Sequence, residues 1–320
     1  MKIMLAPMEG VVDSYLRDIL TKIGGFDLCV TEFVRIVDQE LPPKVFKRFC
    51  TELNNKGKTA AGTPVIVQLL GSDPEAMAAN AVRATELGAP GIDLNFGCPA
   101  KCVNKRSGGS YLLQDPQRLF NIISSVRKAV DTTIPVSAKI RLGFNNTDLA
   151  LDNAHAVEAA GASYVTVHAR TKADGYKSPV RWEWLAKINN ALTIPVIANG
   201  DINSIDNYKR CIDISGCENI MIGRGAVARP DLARQIRAYH NNENIQSLKW
   251  REVLILLIEM SNAMTKDVKT KYIVSRTKQW LVMLKRIYPE ANKCFHVIRK
   301  TRDYQSVQLA LLQQLRSIKQ

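Results

Sequence analysis

Through its first 240 or so residues the chain alternates short apolar runs with longer stretches of helical spacing. The runs fall at 3–6, 28–31, 65–70, 91–94, 136–140, 164–168, 196–198 and 219–222. Between most of them lie Ala-, Leu- and Glu-rich segments such as 74–87, 116–130 and 150–160, with Gly88 and Gly161 placed to end helices in a left-handed turn. Strands that are apolar on both faces and separated by helices predict a parallel sheet covered on both sides. Eight such strands over this length predict an α/β fold of the (β/α)8, or TIM barrel, kind. A doubly wound open sheet is the alternative. It calls for a glycine fingerprint after the first strand, where this chain has Ala6-Pro7-Met8-Glu9. From about residue 245 the strand-like runs cease, and 250–266, 272–288, 291–300 and 306–318 have helical character. An Asn-rich polar stretch, 240–247, joins the two parts. The pattern predicts two domains, a catalytic barrel over 1–243 and a small helical bundle over 244–320.

Composition and charge change that picture in one respect. At 46% hydrophobic and 23% charged, the 320-residue chain is expected to fold as a globular protein rather than remain disordered. The longest apolar stretch, 253–258, is too short to span a membrane, and Glu9 interrupts the N-terminal run before it reaches signal-peptide length. Seven scattered cysteines with no CxxC pair read as reduced thiols of a cytoplasmic protein, with no disulfide scaffold and no metal centre expected. Charge is the unusual feature: 44 Lys and Arg face 30 Asp and Glu, and residues 245–320 hold 15 basic against 5 acidic side chains. Positive charge concentrated in a helical tail predicts a polyanionic partner, although a solvated helix face would look the same.

In a barrel of this kind, catalytic groups sit at the C-terminal ends of the strands. Those ends carry Pro7-Met8, Thr31-Glu32, Gln68, Asn95 with Cys98, Lys139-Arg141, His168-Arg170, Asn199-Gly200-Asp201 and Gly223-Arg224-Gly225. The last two groups combine close-approach glycines with a guanidinium, as a phosphate site after strands seven and eight requires. A sugar phosphate or a flavin mononucleotide would satisfy them equally. Lys139, inward in an apolar strand, must meet an anion or an electron-rich ring, and could equally form a Schiff base. Gln68 offers the donor–acceptor pair that a flavin edge or a uracil would use, and His168 could neutralise the same region. Cys98, held between Gly97 and Pro99, suits acid or nucleophile chemistry. Cys102 lies four residues on but has no second cysteine pair to complete a metal site.

The segments Leu5-Ala-Pro-Met-Glu-Gly, Asp93-Leu-Asn-Phe-Gly-Cys-Pro, Ser137-Ala-Lys-Ile-Arg-Leu-Gly, Val167-His-Ala-Arg-Thr, Pro195-Val-Ile-Ala-Asn-Gly-Asp and Met221-Ile-Gly-Arg-Gly resemble the tRNA-dihydrouridine synthases in order and spacing. Thr31-Glu-Phe-Val-Arg, Val37-Asp-Gln, Gly175-Tyr176 and Ser275-Arg-Thr-Lys-Gln-Trp-Leu are similar to their bacterial C subfamily, which modifies uridine 16. The resemblance implies an oxidoreductase in which FMN, reduced by NADPH or NADH, gives hydride to C6 of a flipped-out D-loop uridine while Cys98 protonates C5. It implies Pro7, Met8, Glu9, Gln68, Lys139, His168, Asn199, Gly200, Asp201, Gly223 and Arg224 around the flavin. It further implies Arg35, Asn95, Tyr176, Arg276, Lys278, Met283 and Arg299 against tRNA, with Met283 standing where the subfamily carries an aromatic residue. Phe96 and Lys105-Arg106 also depart from the usual smaller residues of the active-site loop. The protein is expected to be a monomer with tRNA as its partner and no membrane association. A barrel without the tail is expected to keep flavin and lose tRNA. A synthase for another D-loop position, a dihydroorotate-dehydrogenase-like flavin barrel, a Schiff-base aldolase and a non-catalytic RNA-binding protein are the competing readings.

Overall fold

The structure, a computed structural model, describes residues 1–318. Its strands are β1 (Ile3–Leu5), β2 (Leu28–Val30), β3 (Val34–Arg35), β4 (Val65–Leu70), β5 (Ile92–Asn95), β6 (Val136–Arg141), β7 (Val165–His168), β8 (Val196–Asn199) and β9 (Asn219–Ile222). All pair in parallel. β1 lies between β2 and β9, and β2 also pairs with β4, so eight strands close into a barrel without a free edge. The eight apolar runs of the sequence are these eight strands. β3 was not anticipated: two residues long, it adds Val34 and Arg35 alongside Leu69 and Leu70 of β4 and is too short to carry a periodicity.

Helix starts follow from local chemistry. Asp13, Asp73, Asp115 and Ser204 each accept a hydrogen bond from a backbone N–H in the first turn that follows, and Pro74 and Pro116 occupy first-turn positions where no N–H is needed. Gly88 and Gly161 follow their helices with φ of 98° and 86°, the left-handed conformation expected of them.

The strands differ between their two faces in a way that builds the site. Outward side chains such as Val67, Ile92, Leu94, Val136, Ala138 and Ile140 pack under the helices as the main core. Inward, one half of the barrel is apolar, with Met4, Ala6, Val30, Ile197 and Met221 in contact. The other half is polar. Register places Gln68 beside Asp93, Asp93 beside Ser137, Asn95 beside Lys139, Lys139 beside Thr166, Arg141 beside His168 and His168 beside Asn199. Because side chains alternate along a strand, these pairs all point into the same space.

Beyond the barrel run four helices, Trp250–Met264, Thr270–Leu284, Pro289–Ile298 and Tyr304–Ser317. The second ends earlier than its sequence pattern suggested, in a turn that leads to Pro289 at the start of the next helix. This bundle grips the barrel. Trp280, 2% exposed, donates its indole N–H to Val227 O at 3.0 Å, Lys22 pairs with Glu259 at 2.8 Å, and Tyr15 reaches Asp267. Lys319 and Gln320, the last residues of the expected 244–320 domain, lie outside the described residues. Among the described residues no helix is long and apolar enough to cross a membrane.

Candidate active site

A cavity of about 590 Å³ opens at the C-terminal ends of the strands. It gathers residues that the sequence scatters over nearly 280 positions: Pro7, Met8, Glu9, Gln68, Asn95, Cys98, Lys139, His168, Tyr176, Asn199, Gly200, Asp201, Gly223, Arg224 and Met283 all line it. Arg35, Arg276, Lys278 and Arg299 are not in its wall.

The floor is electropositive. Lys139 is half-buried; burial and the nearby Arg141 bring its ammonium down to about 8, with Asp93 opposing them. Its Nζ donates to Asn199 Oδ1 at 3.1 Å, which leaves donors for a ligand. Burial first, then Arg141, Lys139, Arg170 and Arg224, hold His168 well below its ordinary value, so the imidazole is neutral. A neutral ring beside a lysine offers hydrogen bonding without adding charge.

At one end, Asp201 organises two cations. Arg170 holds it through both Nη atoms, and Arg224 Nη2 donates to Oδ1 at 2.8 Å. Asp201 takes a left-handed φ of 51° to do this. A carboxylate repels phosphate, so Asp201 serves a phosphate by fixing Arg224. Here the chain comes close to itself: a Cβ on Gly225 would lie 2.1 Å from Ile202 O, and one on Gly200 2.8 Å from Val180 Cγ2. The donor set fits a flavin mononucleotide, with Lys139 and Gln68 available to a ring and Gly223, Arg224 and Gly225 to a phosphate.

Cys98 is half-buried on the loop after β5. Burial pushes its thiol above the ordinary range, with Glu9 and Cys102 adding to the effect and the Ala100 amide and Arg141 opposing it. The thiol therefore stays protonated, the state a proton donor requires. Asn95 Oδ1 accepts from the Gly97 and Cys98 amides at 3.0 and 2.9 Å and holds the loop in place. Cys102 is exposed and outside the cavity wall. Phe96 points the other way, fully buried in the main core, and Lys105 and Arg106 are exposed.

Over the cavity, two guanidiniums pack near Tyr176, with Arg141 Cζ 5.3 Å and Arg224 Cζ 5.0 Å from its ring centre. It is 57% exposed, an aromatic face at the rim. Arg35 donates to Cys102 O at 3.2 Å, and so links β3 to the Cys98 segment. Two cations from the tail are engaged within the chain. Arg276 donates to Asp13 at 2.9 Å, to Gly10 O at 2.8 Å, to Val11 O and to Gln279. Lys278 donates to Arg299 O at 3.1 Å and Thr301 O at 2.6 Å, at the C-terminal end of helix Pro289–Ile298. The Arg299 side chain itself is exposed.

Sequence reasoning gave no role to four residues that shape the site. Arg141, 2% exposed, donates to Gly97 O at 2.8 Å, Thr171 O at 3.0 Å and Gly175 O at 2.9 Å, and thereby ties the Cys98 loop to the Tyr176 loop. Arg170 braces Asp201, Asp93 lies beneath Gln68, and Arg286 of the tail lines the cavity. Period-two spacing was the available signal for three of them: Arg141 follows Lys139 by two, Arg170 follows His168 by two, and Asp93 precedes Asn95 by two. Arg286 carries no such mark.

Fold and cavity together define a TIM-barrel enzyme whose site suits a phosphate-bearing ring cofactor and a proton-donating thiol. Residues 4–316 match the dihydrouridine synthase family, and the chain belongs to it; the family's members are flavin-dependent oxidoreductases. A relative from Pseudomonas syringae pv. tomato, a tRNA-dihydrouridine(16) synthase, is 50% identical over 311 residues, 97% of this chain and 98% of its own length. Its namesakes from Shewanella oneidensis and Haemophilus influenzae are 49% and 43% identical, over 93% and 97% of this chain and 93% and 99% of their own lengths. Among solved structures, a 2-naphthoyl-CoA reductase complex superposes with a TM-score of 0.57 at 14% identity, over 76% of this chain and 50% of its own. An old yellow enzyme homologue from Zymomonas mobilis gives 0.52 at 12% identity, over 77% and 90%. At those identities the likeness concerns the barrel fold alone.

Proposed function

We propose that this chain is an FMN-dependent tRNA-dihydrouridine synthase that reduces uridine 16 of the tRNA D loop, drawing electrons from NADPH or NADH. The observation that carries the reading is a protonated thiol, Cys98, on a loop held at the rim of a cavity whose floor is Lys139 and neutral His168. FMN bound there would supply the hydride for C6 of the uracil. Lys139 and Gln68 orient the ring, and Arg224, held by Asp201, receives the phosphate. A stacked uracil must leave the RNA to reach the cavity, and Tyr176 at the rim offers a face on which an unstacked base rests. Cys98 then protonates C5. The ammonium of Lys139 faces the same cavity and would stabilise negative charge that develops on the uracil.

In this reading residues 1–243 form the catalytic barrel and 244–320 the basic tRNA-binding domain of a cytoplasmic monomer. Tyr176, Asn95, Arg35, Met283, Arg299, Arg276 and Lys278 serve tRNA, the last two by fixing the tail on the barrel and the 299–301 turn on the tail. The test is direct. Purified protein should be yellow and release FMN on denaturation, and it should restore dihydrouridine at position 16, mapped by mass spectrometry, in tRNA from a strain lacking that modification. Colourless protein that takes up no flavin overturns the redox reading. Dihydrouridine at another position overturns the assignment to uridine 16.

A further inference from the structure

A buried chain of hydrogen bonds runs beneath the cavity and ends at the loop that carries Cys98. Ser137 Oγ donates to Asp93 Oδ1 at 2.7 Å, and Gln68 Nε2 donates to Asp93 Oδ2 at 2.6 Å. Asn95 Nδ2 donates to Gln68 Oε1 at 2.8 Å, and the Gly97 and Cys98 amides donate to Asn95 Oδ1. Asp93, Gln68 and Ser137 are fully buried, and Asn95 is 8% exposed. Two of the links are primary amides. Either amide fits its space equally well when turned over, so shape alone does not fix which end presents oxygen. A carboxylate removes that freedom because it only accepts. It obliges Gln68 to turn its NH2 downward and its oxygen toward Asn95; Asn95 must then give its NH2 to Gln68 and keep its oxygen for the loop. With Asn95 reversed, donor would meet donor at the loop; with Gln68 reversed, oxygen would face the Asp93 carboxylate and donor would meet donor at Asn95, and a buried unmatched pair is costly.

We propose that Asp93 is a positioning residue for proton transfer: by fixing the polarity of the Gln68–Asn95 amide chain, it holds the backbone of Gly97 and Cys98 so that the thiol faces the cavity. Asp93 touches neither the thiol nor the cavity wall. Its burial raises its carboxyl to about 6 against the hydrogen bonds from Gln68 and Ser137 and the charge of Lys139. A carboxylate is retained there at that expense because an acceptor on both sides is what the chain of bonds needs. The proposal rests on Cys98 as the proton donor.

The experiment compares Asp93→Asn with Asp93→Leu in full-length, flavin-loaded protein. Asparagine can keep every bond of the chain, because the donor-only loop amides still hold the far end: its carbonyl accepts from Gln68 while its NH2 donates to the Ser137 hydroxyl, which can accept. Leucine removes the acceptor below Gln68 and leaves its buried NH2 unpaired, so the chain is no longer anchored beneath the loop. Asp93→Asn should keep kcat and KM for tRNA within about threefold, whereas Asp93→Leu should lower kcat by roughly tenfold or more with KM little changed. Independently of turnover, the rate of Cys98 alkylation by iodoacetamide, read by peptide mass spectrometry, should shift with pH in Asp93→Leu and match the parent in Asp93→Asn. Equal damage in the two variants, or an unchanged kcat and labelling profile in Asp93→Leu, overturns the proposal. Should the leucine variant not fold, Gln68→Glu decides. Its carboxyl can fill the glutamine's place above Asp93 only when protonated, so its kcat relative to the parent should fall by about tenfold or more from about pH 6 to about pH 8. A pH-independent ratio overturns the relay. Full turnover in Cys98→Ala would instead sink the proton-donor reading, and the labelling profiles would still judge the relay.

Discussion

The barrel mouth and the helical tail both supply polar side chains that the sequence marks out, yet they use them in opposite ways. At the mouth, side chains from all eight barrel strands and their loops converge on one cavity, and their mutual bonds leave Lys139 donors, the Arg224 guanidinium and the Cys98 thiol facing it. In the tail, Arg276 and Lys278 spend their hydrogen bonds on backbone carbonyls and on Asp13 and Gln279. A net positive segment identifies a surface for a polyanion, but each cation has to be asked separately whether it faces solvent. Here the tail's cations divide into those that build the surface and those that present charge from it. The tail is also no detachable module, since Trp280 seats on the short helix Arg224–Ala228 and Met283 and Arg286 complete the cavity. The expectation that a barrel without its tail keeps flavin therefore turns on whether the Arg224 segment holds without Trp280 against it.

The largest effect belongs to the mouth. Cys98→Ala should retain flavin and tRNA yet lose about 10²–10⁴-fold in dihydrouridine formation, the usual contribution of a positioned acid. Cys102→Ala should stay near the parent, because Cys102 is exposed and outside the cavity. The two thiols should also differ in labelling. Burial raises Cys98, so at about pH 8 iodoacetamide should modify Cys102 first, and Cys98 labelling should climb only at higher pH. Equal labelling rates would remove the reason for assigning the acid to Cys98.

Next comes the seam between the two regions. Trp280→Ala removes a buried ring and its bond to Val227 O, and should cost about 3–5 kcal/mol of stability by thermal or denaturant unfolding. If the seam supports the mouth, flavin affinity should fall with it; an unaltered flavin affinity would return the tail to the status of an appendage.

The sequence made the barrel legible because eight apolar runs separated by capped helices admit few topologies, and the site legible because barrel chemistry is confined to strand ends. Cys98, Lys139, Gln68 and Arg224 stand at such ends, and the structure brings them to one cavity. What stayed hidden was direction. Asp93 sits in a quoted motif, but its place under Gln68 depends on the register between β4 and β5, which no local pattern specifies. The resemblance implied Arg276 and Lys278 against tRNA, but helix spacing does not say what a side chain bonds, and both reach acceptors within the chain. Met283 lines the cavity, while the side chain of Phe96 in the active-site loop belongs to the core.

Within the tail, Arg276 and Lys278 should separate by stability. Arg276 bonds the loop after β1, where a charge-assisted hydrogen bond is worth about 1.5–3 kcal/mol, so Arg276→Ala should lower the melting temperature measurably. Lys278 meets only carbonyls at a helix C-terminus and no carboxylate, a contact of about 0.3–1 kcal/mol, and its alanine variant should melt close to the parent. Equal melting shifts would mean that the Asp13 contact contributes nothing in solution.

The smallest effect discriminates most finely. Binding that neutralises a phosphate releases counterion, so each cation that truly faces RNA adds about 0.7–0.9 to the slope of log affinity against log salt concentration. Arg286 lines the cavity and is exposed, and the Arg299 side chain is exposed beyond the helix end whose carbonyl Lys278 holds. Arg286→Ala and Arg299→Ala should each reduce the slope by about one contact while leaving the melting temperature unchanged. Arg276→Ala should weaken tRNA binding through the misplaced loop but leave the slope nearly intact, because its charge is already met by Asp13. Titrating tRNA at several salt concentrations for the three variants therefore reads out which guanidiniums present charge and which ones build. A slope lost in Arg276→Ala and kept in Arg286→Ala would exchange the two roles.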